Sequence, residues 1–212
     1  MVWYNINMKI IGKPKIKYYV IHHTAVSRFK SPTQLHQVNN YHRTKDWGGG
    51  WTQTNPSSLG WWVGYNFFTD SDGKTTQTRA IGEETIAQKG MNCDVPERCL
   101  AISHCLSGNF LNEQPSQAQE ARVIFGLAQA MIHFPSIQLK QHKDIQPSRT
   151  CACLDPKTLV RWQKQAFKLS KLMQKGKKLD ISGVLTIDLV QELMKRDDWA
   201  KVLITELQKK SR

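Results

Sequence analysis

The run Gln141-His142-Lys143-Asp144-Ile145-Gln146-Pro147-Ser148-Arg149-Thr150-Cys151-Ala152-Cys153 constrains this chain more than any other stretch, because it sets an imidazole, a basic side chain and thiols in one turn-bounded segment. Cys151 follows His142 by nine residues with Pro147 between them, which rules out a shared helix face. The two side chains can meet only if the segment doubles back. Such a loop supplies two ligands to zinc, and a zinc site wants a third from elsewhere. Far upstream, Tyr18-Tyr19-Val20-Ile21-His22-His23-Thr24-Ala25 reads as a buried strand that delivers a histidine at its end. His22 is the candidate third ligand, so two distant segments would converge on one ion.

Other elements follow from local pattern. Ser31-Pro32 offers an N-cap and a proline at the first helical position, and Leu35 and Val38 continue at helical spacing, predicting a helix of about three turns. A loop from Lys45 to Ser58 follows, where Gly48-Gly49-Gly50 lies between Trp47 and Trp51 and suggests an apolar, mobile wall. Tyr65 to Phe68 and Lys74 to Arg79 read as strands joined by Asp70-Ser71-Asp72-Gly73, the Asp-Gly pair being a hairpin signal. Leu100 to Gly108 is a short strand carrying Cys105. A long helix begins at Pro115-Ser116, its apolar stripe running through Ala121, Ile124, Phe125, Ala128, Met131 and Ile132, and Pro135 stops it. Ile137 to Gln141 is then a strand feeding the histidine-cysteine loop, and Asp155-Pro156 opens the next helix. Strands alternating with helices predict a central sheet with helices packed on it.

The 212 residues, 40% apolar and 9% aromatic, suffice for one good core with an appendage. No run resembles a membrane span or a secretory signal, so the product is expected to accumulate first in the cytoplasm. Five cysteines without an export signal make a disulfide framework improbable and leave thiols for metal. The net charge of +13 draws the surface to polyanions. Nucleic acid is one candidate, but no helix-turn-helix, zinc-finger or RNP-type signature accompanies the charge. From Lys164 to Arg212, Lys and Arg number 12 against 6 Asp and Glu, a net +6 with neither cysteine nor histidine. That part cannot share zinc chemistry. The expected division is a catalytic domain over residues 1–165 and a basic helical extension over 166–212, which docks on the domain or works at an anionic envelope surface.

Between the strand and the loop stands Gly60-Trp61-Trp62-Val63-Gly64-Tyr65-Asn66-Phe67-Phe68. The order Ile-His-His-Thr-Ala, then Gly-Trp-x-x-Gly-Tyr-Asn-Phe-x-x-Asp-x-Asp-Gly, then His-Lys-Asp with a cysteine nine residues on, resembles the zinc N-acetylmuramoyl-L-alanine amidases. Short phage lysozymes, bacterial amidases and peptidoglycan recognition proteins share that fold. The likeness covers about residues 15 to 165. It implies an α/β fold: a central mixed β-sheet flanked by helices, here with the basic helical C-terminal tail. The ligands to Zn2+ that it implies are His22, His142 and Cys151. Thiol chemistry alone does not separate Cys151 from Cys153, and the resemblance favours Cys151 through Arg149 two places before it.

Tyr65 and Arg149 are the implied catalytic residues, positioned to stabilise an oxyanion; an arginine polarises and does not relay protons. Trp61, Trp62 and Asn66 are the implied contacts to peptidoglycan, the implied substrate. Gln88 near the family's histidine position, Ser103 at a strand glycine and Cys105 where some bacterial members carry glutamate depart from the pattern, and the general base stays undecided. The implied function is hydrolysis of the amide between N-acetylmuramic acid and L-alanine. The implied setting is that of a monomeric phage endolysin that reaches the periplasm and wall once a partner opens the membrane, with no specific nucleic-acid partner. An intracellular muropeptide-recycling amidase, a zinc-stabilised peptidoglycan-binding module without activity and a basic regulator of a nucleic-acid enzyme are the alternatives.

Overall fold

The computed structural model describes residues 8–45, 56–87 and 95–177. The Trp47 to Trp51 loop, Gln88 and the tail helices expected beyond residue 177 lie outside them. Five strands form one sheet in the order β3-β2-β4-β1-β5, with β1 Tyr18–His23, β2 Phe67–Thr69, β3 Thr75–Gln77, β4 Ala101–Leu106 and β5 Gln138–Gln141. β1 pairs in parallel with both β4 and β5, β2 pairs in parallel with β4, and β3 closes the edge antiparallel to β2. The sheet is therefore mixed and flanked by helices, as the sequence led us to expect.

β1 is an interior strand covered on both faces, so its first four residues read as a continuous apolar run without alternation. Register sorts the side chains between two layers. His22 stands beside Cys105, and Cys105 beside Phe68, so these three share one face; with Leu35 and Val63, Phe68 and Cys105 form a small apolar cluster. Tyr19, Ile21, Ile102, Leu106, Phe67 and Leu139 belong to the larger core beneath α2 (Gln117–His133) and α4 (Pro156–Lys177).

α2 starts where the sequence placed it. Ser116 accepts from the Gln119 N–H at 3.1 Å while Gln119 Oε1 accepts from the Ser116 N–H at 2.9 Å, a reciprocal cap. Asp155 opens α4, its carboxylate accepting from the Lys157 N–H at 2.9 Å. Trp162, Ala166, Leu169 and Leu172 recur at helical spacing and are buried in the large core. α4 thus continues unbroken past residue 165, and the expected extension contributes core side chains as far as Leu172.

α1 spans Leu35–Thr44 and begins later than Ser31-Pro32 suggested. The reason is tertiary. The Pro32 carbonyl accepts from the Ser71 N–H at 3.1 Å, and the Gln34 N–H donates to the Asp70 carboxylate at 2.5 Å, so the β2–β3 turn holds this segment and sets the helix start. That turn needs its glycine: Gly73 has φ +85°, and a Cβ there would lie 2.8 Å from Ala118 Cβ.

The disulfide expectation is corrected. Cys99 is disulfide-bonded, with its partner outside the described residues, whereas Cys105, Cys151 and Cys153 are free thiols. Whether two sulfurs meet is set by tertiary proximity, which compartment and cysteine count do not report. Among the described residues, no helix is long and apolar enough to cross a membrane.

Candidate metal centre

Two clamps fold the histidine-cysteine segment back. Gln141, 1% exposed at the end of β5, accepts from the Leu154 N–H at 2.9 Å and donates to the Leu154 carbonyl at 3.2 Å, which closes the segment at its base. Inside it, the chain makes a single helical turn, α3 (His142–Ile145), where the sequence suggested irregular loop. The Gln141 N–H donates to Asp144 Oδ2 at 3.0 Å and starts that turn. The Lys143 N–H then donates to the Cys151 carbonyl at 2.6 Å, laying Cys151 against α3.

This fold-back meets the end of β1. One ligand atom each from His22, His142 and Cys151 lie within 4.8 Å of one another, and among the described residues this is the group able to hold a metal ion. Cys151 Sγ is 3.8 Å from His22 Nδ1, and the two imidazole centroids are 4.6 Å apart. Ligands at tetrahedral angles around a zinc with bonds of about 2.0 and 2.3 Å would stand about 3.5 Å apart, so the spacing suits an ion between them. His22 is 1% exposed, and the ring nitrogen that faces the Cys151 sulfur is Nδ1, so an ion in that gap would be held by Nδ1. Cys153 is not part of the group. Geometry therefore separates two thiols that sequence chemistry left equivalent.

The electrostatics suit neutral imidazole ligands. Burial first, then the charges of His142, His23 and His104, hold His22 well below the usual histidine range. Burial also lowers His142, partly offset by its hydrogen bond with Gln146, whose Oε1 lies 3.2 Å from Nε2. Burial pushes the Cys151 thiol up to about 12, while the His23 N–H, which donates to its sulfur at 3.2 Å, pulls the other way. A buried thiolate needs a cation beside it, and one ion shared by this set would supply it.

Around the trio, Tyr65 is partly buried with its ring 5.1 Å from that of His22. Burial, then the thiols of Cys105 and Cys151, hold its hydroxyl well above the usual phenol range, so it remains a neutral donor. Arg149 is exposed, and its charge reaches both His142 and Cys151. Trp61 and Trp62 are half-buried, Trp61 beside His36 and Trp62 beneath the Arg43 guanidinium. Asn66 differs from expectation. It is 1% exposed, donates to the Ala80 carbonyl at 3.0 Å and accepts from the Ser103 N–H at 2.9 Å, so its amide ties β2 to β4 and leaves little to offer a substrate.

The family described as N-acetylmuramoyl-L-alanine amidase matches residues 12–156. The chain belongs to that amidase family. Solved structures of similar fold include the N-acetylmuramoyl-L-alanine amidase LysC from Clostridium intestinale URNW, 20% identical over 70% of this chain and 86% of that one, with a TM-score of 0.52. The Ph2119 endolysin from Thermus scotoductus MAT2119 bacteriophage Ph2119 is 19% identical over 74% and 89% of the two chains, with a TM-score of 0.53. Drosophila PGRP-LB is 15% identical over 72% and 82%, with a TM-score of 0.51. No curated protein sequence matches the chain. At these identities the likeness speaks to fold, and the five-stranded mixed sheet agrees with it. Among residues missed from sequence, Gln141 carries the most consequence. Its signal was legible: Gln141 and Asp144 stand three apart at a strand end, the spacing of a capping box.

Proposed function

We propose that the chain is a zinc-dependent N-acetylmuramoyl-L-alanine amidase that hydrolyses the amide joining N-acetylmuramic acid to L-alanine in peptidoglycan. The observation that carries this is the convergence of His22, His142 and Cys151 in a chain of this family. Zinc, when bound, supplies Lewis acidity, bringing the pKa of a water toward about 7 and polarising a carbonyl.

The chain's own residues do the rest. His22 and His142 enter as neutral ligands, and Cys151 enters as a thiolate whose charge is shared with the His23 N–H. Tyr65, protonated beside His22, donates a hydrogen bond to the oxygen on which charge develops as the amide carbon becomes tetrahedral. Arg149 adds a fixed positive charge at the exposed side of the centre. Trp61 and Trp62 offer aromatic surface to the glycan or stem peptide. The setting we favour is that of an endolysin in host lysis, released to the wall when the membrane opens.

Purified protein incubated with peptidoglycan should release new L-alanine amino termini without new reducing sugar ends, and a chelator should stop it. New reducing ends, or activity unchanged by exhaustive chelation, would overturn the proposal.

A further inference from the structure

Among the hydrogen bonds that hold the turn presenting Tyr65 are four to residues between 78 and 103. Arg79 Nε donates to the Val63 carbonyl at 2.7 Å, Thr78 Oγ1 donates to the Tyr65 carbonyl at 2.7 Å, and the Asn66 N–H donates to the Ser103 carbonyl at 3.0 Å. The fourth is the Ile86 N–H, which reaches the Gly64 carbonyl at 3.4 Å. α1 adds two struts: Asn39 Oδ1 accepts from the Trp62 N–H at 2.7 Å, three residues before Tyr65, and His42 holds the residue next to it. The Gly64 N–H donates to His42 Nδ1 at 2.9 Å, and His42 is 5% exposed. The His42 ring lies 5.6 Å from that of Tyr65, which in turn lies 5.1 Å from that of His22. Three rings thus stand in series from α1 to the centre. Gly64 has no slack: a Cβ there would fall 2.4 Å from Ile86 Cγ1. Burial, then the charge of Arg79, hold His42 down to about 4, so near neutrality Nδ1 keeps its lone pair for the Gly64 N–H.

From this geometry we infer that His42 is the positioning residue for Tyr65, fixing the phenol ring against His22 through the Gly64 N–H and through ring contact. The inference rests on the reading of Tyr65 as the oxyanion donor and extends it to a residue of α1 outside the ligand trio. α1 then sets the geometry of the reaction as well as the apolar cluster. A side chain that only fills space could be replaced by any residue of similar volume. A strut needs an acceptor at the Nδ1 position, which the Oδ1 of asparagine can imitate and leucine cannot.

The test compares His42→Asn, His42→Leu, Tyr65→Phe and the double variant His42→Leu/Tyr65→Phe, each checked for bound zinc and thermal midpoint. Positioning is read without activity from carbon-13 tyrosine spectra, in which the Tyr65 resonance is assigned by its loss in Tyr65→Phe. That resonance should stay sharp and unshifted in His42→Asn, and should shift or broaden in His42→Leu. On peptidoglycan fragments, His42→Leu should lose about 10- to 100-fold in kcat with KM within about twofold, and His42→Asn should recover most of the loss. In the Tyr65→Phe background, His42→Leu should cost no further turnover. Equal losses in His42→Asn and His42→Leu, an undiminished loss in the Tyr65→Phe background, or an unmoved Tyr65 resonance in His42→Leu would each overturn the inference. A wild-type protein without amidase activity would refute the proposed function, and the resonance would still decide whether His42 places Tyr65.

Discussion

At Gly126, α2 has no room for a side chain over the sheet: a Cβ there would lie 2.6 Å from the Tyr19 hydroxyl, which also bonds His104 Nδ1 at 2.8 Å. Gly to Ala inside a helix ordinarily adds about 0.5–1 kcal/mol. At this position the sign should reverse, because the hydroxyl cannot retreat without giving up a buried hydrogen bond, and overpacking costs about 1–3 kcal/mol. Urea unfolding of Gly126→Ala should show the loss; a gain would mean that α2 can slide. Tyr65 makes the matching prediction for chemistry. Tyr65→Phe should keep zinc and fold yet lose on the order of 100-fold in turnover, since one oxyanion donor is gone. Zinc content and kcat measured on the same preparation separate that outcome from a core defect. A third residue-scale prediction concerns the ion itself: His142→Ala should abolish bound zinc, and metal analysis finding a full equivalent would remove the centre as described.

At the scale of elements, the centre depends on how β5 hands the chain to α3. Gln141 sits at that junction and grips Leu154 from both ends of its amide, so it holds His142 and Cys151 in register without belonging to the candidate ligand group. Gln141→Leu should leave the sheet intact while weakening metal retention about 10- to 100-fold, the usual scale for partners behind the ligands. Chelator titration of the variant would read this, and unchanged retention would show that α3 alone suffices. α4 carries a second element-scale prediction. Cutting the chain after residue 165 removes Ala166, Leu169 and Leu172 from the core. Two leucines at about 1.5–3 kcal/mol each are a large share of a typical stability of about 5–15 kcal/mol. That truncation should lower the thermal midpoint sharply or yield insoluble protein. A stable 1–165 fragment would move α4 out of the core.

For the whole molecule, buried neutral histidines set the response to acid. His104 accepts or donates at both ring nitrogens, to Tyr19 at 2.8 Å and Thr69 at 2.6 Å, and burial holds it down to about 3, while burial, then Arg79, hold His42 down to about 4. Their ordinary value is 6.5, so below it the unfolded chain binds protons that the folded chain refuses. Stability is therefore full above 6.5 and falls as pH drops toward about 4, by up to about 1.4 kcal/mol per pH unit for each such histidine. Denaturant midpoints measured across that window should decline, and His104→Gln should flatten the slope even if it lowers the plateau. A pH-independent midpoint would mean that these rings reach water.

The sequence by itself determined the strands and helices and their approximate order, because each is encoded by local pattern: the apolar run of Tyr18 to Ile21, the Asp-Gly turn, the Ser116 cap and the stripe of α2. It also carried His22 and His142 as candidate ligands, since a histidine at a strand end and another opening a turn-bounded loop stand out once a third donor is sought, and the structure brings the two together. Thiol chemistry left Cys151 and Cys153 equivalent and the resemblance favoured Cys151 through Arg149; the tertiary structure gathers Cys151 with the two histidines, through the Gln141 clamp and the Lys143 N–H, and leaves Cys153 outside that group. It alone delayed α1 to Leu35, since Asp70 captures the Gln34 N–H from 36 residues away. It turned Asn66 inward and brought His42 beneath Gly64. Each of these outcomes is a contact between residues far apart in the chain, and local preference carries no information about which distant partner will arrive.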